Sequence, residues 1–236
     1  MSEIYLIRHA QGSFASKNYD RLSEIGYRQS RVLGDYFARM GVRFDAVYSG
    51  TLERQKETAL TMMSRMKGNE AGPELSSTPE FNEYNSDSIM KKLLPVILKE
   101  NPAAAQYLET MFTDRRSFQR MYMEAMLRWL SGNYDQPEVE TFAQFTGRVR
   151  AGALKIMQEN GRGKTIALVT SGGPISAFMQ LALGITAETA LNLSLQLRNA
   201  SVSTLKYNNK QEIALSSFNS TAHLEITGQT ELLTYR

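Results

Sequence analysis

Apolar residues along this chain fall into two rhythms. Residues 4–7 and 165–170 form short, largely apolar runs, the signature of strands buried on both faces, and Phe44 to Tyr48 reads as a further strand. Between the first two, Val32, Leu33, Tyr36, Phe37 and Met40 keep the three- and four-residue spacing of a helix with one buried face. Ser23 is placed to cap that helix and Gly41 to end it. After Ser49-Gly50-Thr51 a second helix is predicted to run to about residue 66. Strand, helix, strand, helix is the order of a parallel sheet covered on both faces. The expected fold class is therefore α/β, a three-layer α/β/α arrangement with a mostly parallel central sheet.

The rest of the chain refines this picture. Residues 8–21 read as a polar loop, and residues 67–87, with Gly68, Gly72, Pro73 and Pro79, as another. Residues 88–131 read as a helical insertion broken near Asn101-Pro102. It is rich in Met111, Phe112, Phe118, Met121, Tyr122, Met123, Met126 and Trp129, a stripe that suits helix packing and would also suit the cover of a pocket. A helix is expected over about 141–159. The strand at 165–170 turns through Ser171-Gly172-Gly173 into another helix, with Pro174 as its first residue. Residues 202–207 and 213–218 read as a closing hairpin through Asn208-Asn209.

Composition narrows the function. With 236 residues, 42% hydrophobic, the chain can bury one large core, and neither an internal repeat nor a long flexible linker divides it; a single domain over 1–236 is expected. There is no cysteine and there are two histidines, so disulfides, thiolate metal sites and histidine-rich zinc sites are excluded, and no cofactor or metal is expected. Lys and Arg exceed Asp and Glu by 27 − 24 = 3. Those charges are scattered rather than clustered, which argues against a nucleic-acid partner and suits a small anion in a cleft. No run approaches a spanning helix, and the first residues lack a secretory pattern, so the expectation is a cytoplasmic protein without a membrane partner.

Chemistry collects where predicted strands end. The first strand ends in Arg8-His9, the second at Ser49 with Arg54 soon after, and the third at Ser171-Gly172. Ligands of open parallel sheets bind at such carboxyl ends, and amides at a helix start favour an anion. A neutral imidazole can attack phosphorus, and a guanidinium beside it can hold phosphoryl oxygens. Singly, each feature has a plainer reading: a packed strand-end histidine, a capping arginine, a tight glycine turn.

Together these segments resemble the histidine phosphatase, or phosphoglycerate mutase-like, superfamily. Leu6-Ile7-Arg8-His9-Ala10-Gln11 is similar to its Arg-His-Gly signature, Leu22-Ser23-Glu24-Ile25-Gly26-Tyr27-Arg28-Gln29 to its Leu-Thr-x-x-Gly-x-x-Gln segment, and Ser49 to Ala59, with Arg54, Thr58 and Ala59, to its helix start, where a Ser precedes Arg-x-x-x-Thr-Ala. Glu83, in Glu80-Phe81-Asn82-Glu83, stands where the family places its acid. The resemblance implies a phosphatase acting on a small phosphorylated substrate and binding inorganic phosphate. His9 is its implied nucleophile, Arg8 and Arg54 its phosphate holders, and Glu83 its general acid.

One position departs from the pattern. The family's second catalytic histidine falls at Ser171, a neutral residue expected, with Gly172, to bind phosphate. Three alternatives stay open. The chain could be a non-catalytic or weakly active member that binds a phosphorylated ligand or a protein. It could be a mutase of the phosphoglycerate type. It could also be a serine hydrolase using Ser171 and His223, with Glu188 or Glu212 as third member. The sequence says nothing of the oligomeric state.

Overall fold

In the computed structural model, residues 1–13, 20–66, 72–111 and 113–235 are described. Part of the expected loop at 8–21, part of that at 67–87, and Phe112 of the aromatic stripe lie outside them. The chain divides into two compact units, one of residues 1–83 with 148–236 and one of residues 84–147.

The first unit is built on a six-stranded sheet. Its strands are β1 (Ser2–Arg8), β2 (Ala46–Ser49), β3 (Leu75–Ser77), β4 (Thr165–Thr170), β5 (Val202–Tyr207) and β6 (Ile213–Ser220), in the spatial order β3-β2-β4-β1-β5-β6. The first four are mutually parallel; β5 and β6 add an antiparallel edge. Between β1 and β3 run α1 (Glu24–Arg39) and α2 (Glu53–Met66); α6 (Phe142–Asn160) precedes β4, and α7 (Gly172–Leu183), α8 (Ala187–Gln196) and the short α9 (Ala222–Glu225) follow it.

Strand alternation explains the layering. Ile7, Val47, Ala167 and Val169 point to one face, where Leu33 and Phe37 of α1 and Ala59 and Met62 of α2 close over them. Ile4, Leu6, Ile166 and Leu168 alternate to the other face and are equally sealed from water. Burial on both faces is what makes β1 and β4 continuously apolar, and it bears out the expected fold class.

Several boundaries differ from expectation. Phe44 lies outside β2: Asp45 bonds Thr165 N through its carboxylate at 2.8 Å, so the ladder starts only at Ala46, while the Phe44 ring packs 5.2 Å from that of Phe37. The three-residue β3 carries no periodic signal and falls in the stretch read as a loop. Ser23 caps α1 as expected, accepting from Gly26 N at 3.0 Å. Pro174, however, is the third helical residue of α7, not the first. A proline there sacrifices no helical bond, since the first four amides of a helix have no partner within it.

The second unit is helical, with α3 (Ser86–Glu100), α4 (Ala105–Thr110) and α5 (Arg115–Ser131). The break near Asn101-Pro102 is where it was expected. A second break precedes α5, whose cap Asp114 accepts from Ser117 N at 2.7 Å. Met121, Met126 and Trp129 are buried, with the Trp129 ring 4.8 Å from Tyr84 and 5.8 Å from Phe145. The Met-aromatic stripe thus forms this unit's own core.

Candidate active site

Strand order decides which residues meet. β4 lies between β1 and β2, so Arg8 pairs with Thr170 and Ser49 with Val169. Three carboxyl ends therefore open side by side, and the residues just beyond them share one edge of the sheet.

His9 is the first residue past β1. Its amide donates to Thr170 O at 2.7 Å, and its carbonyl accepts from Ala200 N at 3.3 Å and Asn199 Nδ2 at 3.2 Å. The main chain is thus held on both sides, which fixes where the ring goes. Nδ1 lies 2.8 Å from Ala10 O, a partner that can only accept. The proton therefore sits on Nδ1, and Nε2 presents a lone pair. Arg54 Nε donates to that lone pair at 3.2 Å. His9 is only 7% exposed. Burial first, then the neighbouring charges of Arg54 and Arg8, hold its pKa well below the usual 6.5. The ring is neutral at physiological pH.

Arg54 sits in the first turn of α2. Its Nη1 pairs with Asp20 Oδ1 at 2.6 Å, and the other oxygen of Asp20 accepts from Glu53 N at 2.8 Å. Asp20 thereby caps α2 and aims Arg54 together. Thr58, one turn on, donates to Arg54 O at 2.7 Å and accepts from Ala10 N at 3.0 Å, tying the helix to the segment after His9. Arg8 donates through Nη1 to Leu197 O.

Glu83 reaches the same edge from a 3₁₀ turn, Pro79–Phe81. Its Oε2 accepts from Gly173 N at 3.1 Å, in the first turn of α7. Gly172, expected to bind phosphate, is buried at the start of the same helix.

Ser171 is fully buried, and its Oγ accepts from Gln55 Nε2 at 2.8 Å. The same nitrogen donates to Phe81 O at 3.2 Å, and Gln55 Oε1 accepts from Leu52 N at 3.3 Å. Consecutive residues of α2 therefore serve the two strand ends, Arg54 at His9 and Gln55 at Ser171. A Cβ at Gly50 would run into the Gln55 carboxamide, which would have to shift to make room.

His223 lies in α9, 2% exposed, with its ring 5.8 Å from that of Tyr36 and bonded to the Ala200 backbone. Burial lowers its pKa to about 4. Its Nε2 has no hydrogen-bond partner among the described residues. Ser171 takes its bond from Gln55, so the geometry gives no support to a Ser171–His223 hydrolase.

Sequence reasoning passed over Gln55, Asp20, Asn82 and Arg148. Gln55 carried one usable signal, an uncharged polar residue directly after Arg54 in a helix start. Among the described residues no group of three or more His, Cys, Asp or Glu could hold a metal ion, and no helix is long and apolar enough to cross a membrane.

Comparison with known proteins places this geometry in context. Residues 4–118 and 107–221 match the family model described as Histidine phosphatase superfamily (branch 1). A relative named "Putative phosphoserine phosphatase 2" from Hydrogenobacter thermophilus is 24% identical over 227 residues, covering 89% of this chain and 96% of its own. Among solved structures, phosphoserine phosphatase from Entamoeba histolytica in complex with 3-phosphoglyceric acid superimposes with a TM-score of 0.61. The two are 20% identical, over 95% of this chain and 100% of that one. A mycobacterial glucosyl-3-phosphoglycerate phosphatase with inorganic phosphate gives a TM-score of 0.63 at 18% identity, over 94% and 98%. At these identities the two structures show a common fold.

Proposed function

Because the chain belongs to the histidine phosphatase superfamily, we propose that it hydrolyses a small phosphomonoester through a phosphohistidine on His9. One observation carries the reading: a buried, neutral imidazole whose Nε2 lone pair is set against the Arg54 guanidinium.

The scheme follows from the atoms present. As the substrate's phosphoryl group enters, Arg54 exchanges its bond to Nε2 for phosphoryl oxygens, and Arg8 supplies further positive charge. Nε2 attacks phosphorus, the ester P–O bond breaks, and Glu83 gives its proton to the departing alkoxide. The ring becomes cationic as the N–P bond forms, which strengthens the bond from Nδ1–H to Ala10 O. Glu83 then takes a proton from water, whose oxygen attacks phosphorus. The N–P bond breaks, inorganic phosphate leaves and His9 is neutral again. Ser171 and the adjoining Gly172 stand nearest the position where the family pattern has its second histidine.

Support for the substrate class comes from the relatives, whose names specify phosphoserine and glucosyl-3-phosphoglycerate as substrates. A panel of phosphomonoesters, assayed by phosphate release, tests the reading. Turnover of at least one compound, lost by more than about a thousandfold in His9→Ala, is expected; full turnover in that variant contradicts it.

Ser171 favours a second reading, a phosphate-binding member with slow turnover. Its hydroxyl brings no charge to the transition state, and one missing donor of this kind costs on the order of 10²–10³ in rate.

A further inference from the structure

The turn that carries Glu83 is braced by a residue that no part of the reaction scheme uses. Arg148 lies in the part of α6 that belongs to the first unit, half-buried, and its Nη1 is directed into the backbone of residues 79–82. It stands 2.8 Å from Asn82 O, 2.9 Å from Glu80 O and 3.2 Å from Pro79 O. Nη1 has two hydrogens for these three acceptors, so the longest bond is a shared one. The carbonyls at the end of a short helical turn are the ones left without partners, and a guanidinium is well suited to collect them.

The remaining bonds of this turn come from the site itself. Phe81 O accepts from Thr170 Oγ1 at 2.6 Å and from Gln55 Nε2 at 3.2 Å. Asn82 Oδ1 accepts from Thr51 N at 2.6 Å, and Asn82 Nδ2 donates to Thr51 Oγ1 at 2.8 Å. Every carbonyl from residue 79 to 82 thus meets a side chain from another element, that of Pro79 also accepting from Asn82 N at 3.0 Å, and Glu83 is the next residue. Arg148 is the one charged member of that set.

We propose that Arg148 is a positioning residue that sets the reach of the Glu83 carboxyl toward the leaving group. This rests on the reading of Glu83 as general acid. The mechanism is geometric: Arg148 gathers the carbonyls just before Glu83, while Gly173 N holds its carboxylate. Without the guanidinium the turn relaxes, and a proton donor displaced by a fraction of an ångström transfers its proton less well.

A general acid matters for a poor leaving group and hardly at all for a good one, so the test compares two substrates. With O-phosphoserine or another alkyl phosphomonoester, Arg148→Met is expected to lower kcat by about tenfold or more, a part of the full effect of a general acid. With p-nitrophenyl phosphate the same variant is expected to stay within about threefold of the parent. Arg148→Lys, which keeps a charged donor, should recover much of the loss and carries the comparison if Arg148→Met does not fold. Equal losses on both substrates, or none on either, overturn the proposal. Glu83→Gln separates the two levels. If it shows the leaving-group dependence and the Arg148 variants do not, only the role of Arg148 fails. If Glu83→Gln lacks it, the reading of Glu83 as the acid fails first.

Discussion

At the scale of single residues, burial and hydrogen bonding together set the state of His9. The Ala10 carbonyl selects the tautomer, and burial with two neighbouring guanidinium groups keeps the ring neutral. An imidazole in this state needs no base to act as the nucleophile proposed. Ser171 presents the opposite case. It is sealed from water with the Gln55 carboxamide 2.8 Å from its hydroxyl, so the space beside it is already filled. Placing a histidine there by Ser171→His overpacks the site. The expected destabilisation is about 1–3 kcal/mol by urea denaturation. The pair Ser171→His with Gln55→Ala, which opens the space, should be closer to the parent protein. A single Ser171→His variant of undiminished stability contradicts this packing argument.

At the scale of elements, turns and caps set the site more than strands do. α1 begins where Ser23 caps it, and Gly26 in its first turn lies against the backbone of Gln11; a Cβ there would run into the Gln11 carbonyl oxygen. Gly26→Ala is therefore expected to cost about 1–3 kcal/mol of stability and to disturb the segment that follows His9, measured as a lowered urea midpoint. Legibility in the sequence follows the same division. β1, β4, α1 and α2 announce themselves because their apolar faces are long and regular. Arg8, His9, Arg54 and Ser171 could be singled out because they stand at the end of, directly after, or at the start of such elements. β3 could not be found, being three residues long with two serines. The helical start of α7 at Gly172 is hidden because proline points to the first position, whereas an orphan amide position anywhere in the first turn accepts it. Gln55, Asp20 and Arg148 are set by tertiary bonds to residues 20 to 120 positions away, which no local pattern encodes.

At the scale of the whole molecule, the sheet order brings β1, β4 and β2 together, and the two histidines link the fold to pH. Each has a folded pKa below its unfolded value of 6.5, so the unfolded chain binds more protons in the acid range and stability falls with falling pH. For His223 the window runs from 6.5 down to about 4. At about 1.4 kcal/mol per pH unit, that histidine accounts for about 3 kcal/mol present at neutral pH and lost across the window. Unfolding free energies measured at pH 7 and pH 4.5 should show the decline, and His223→Phe should flatten it. An identical slope in that variant contradicts the assignment.

The central claim, that the phosphoryl group passes through His9, is tested most directly by rapid acid-free quenching of the enzyme with a ³²P-labelled phosphomonoester that it turns over. The expected result is label on the protein that survives alkali, is released by acid, maps to the peptide holding His9 and is absent from His9→Ala. Label that survives acid and maps to Ser171, or label undiminished in His9→Ala, would contradict it.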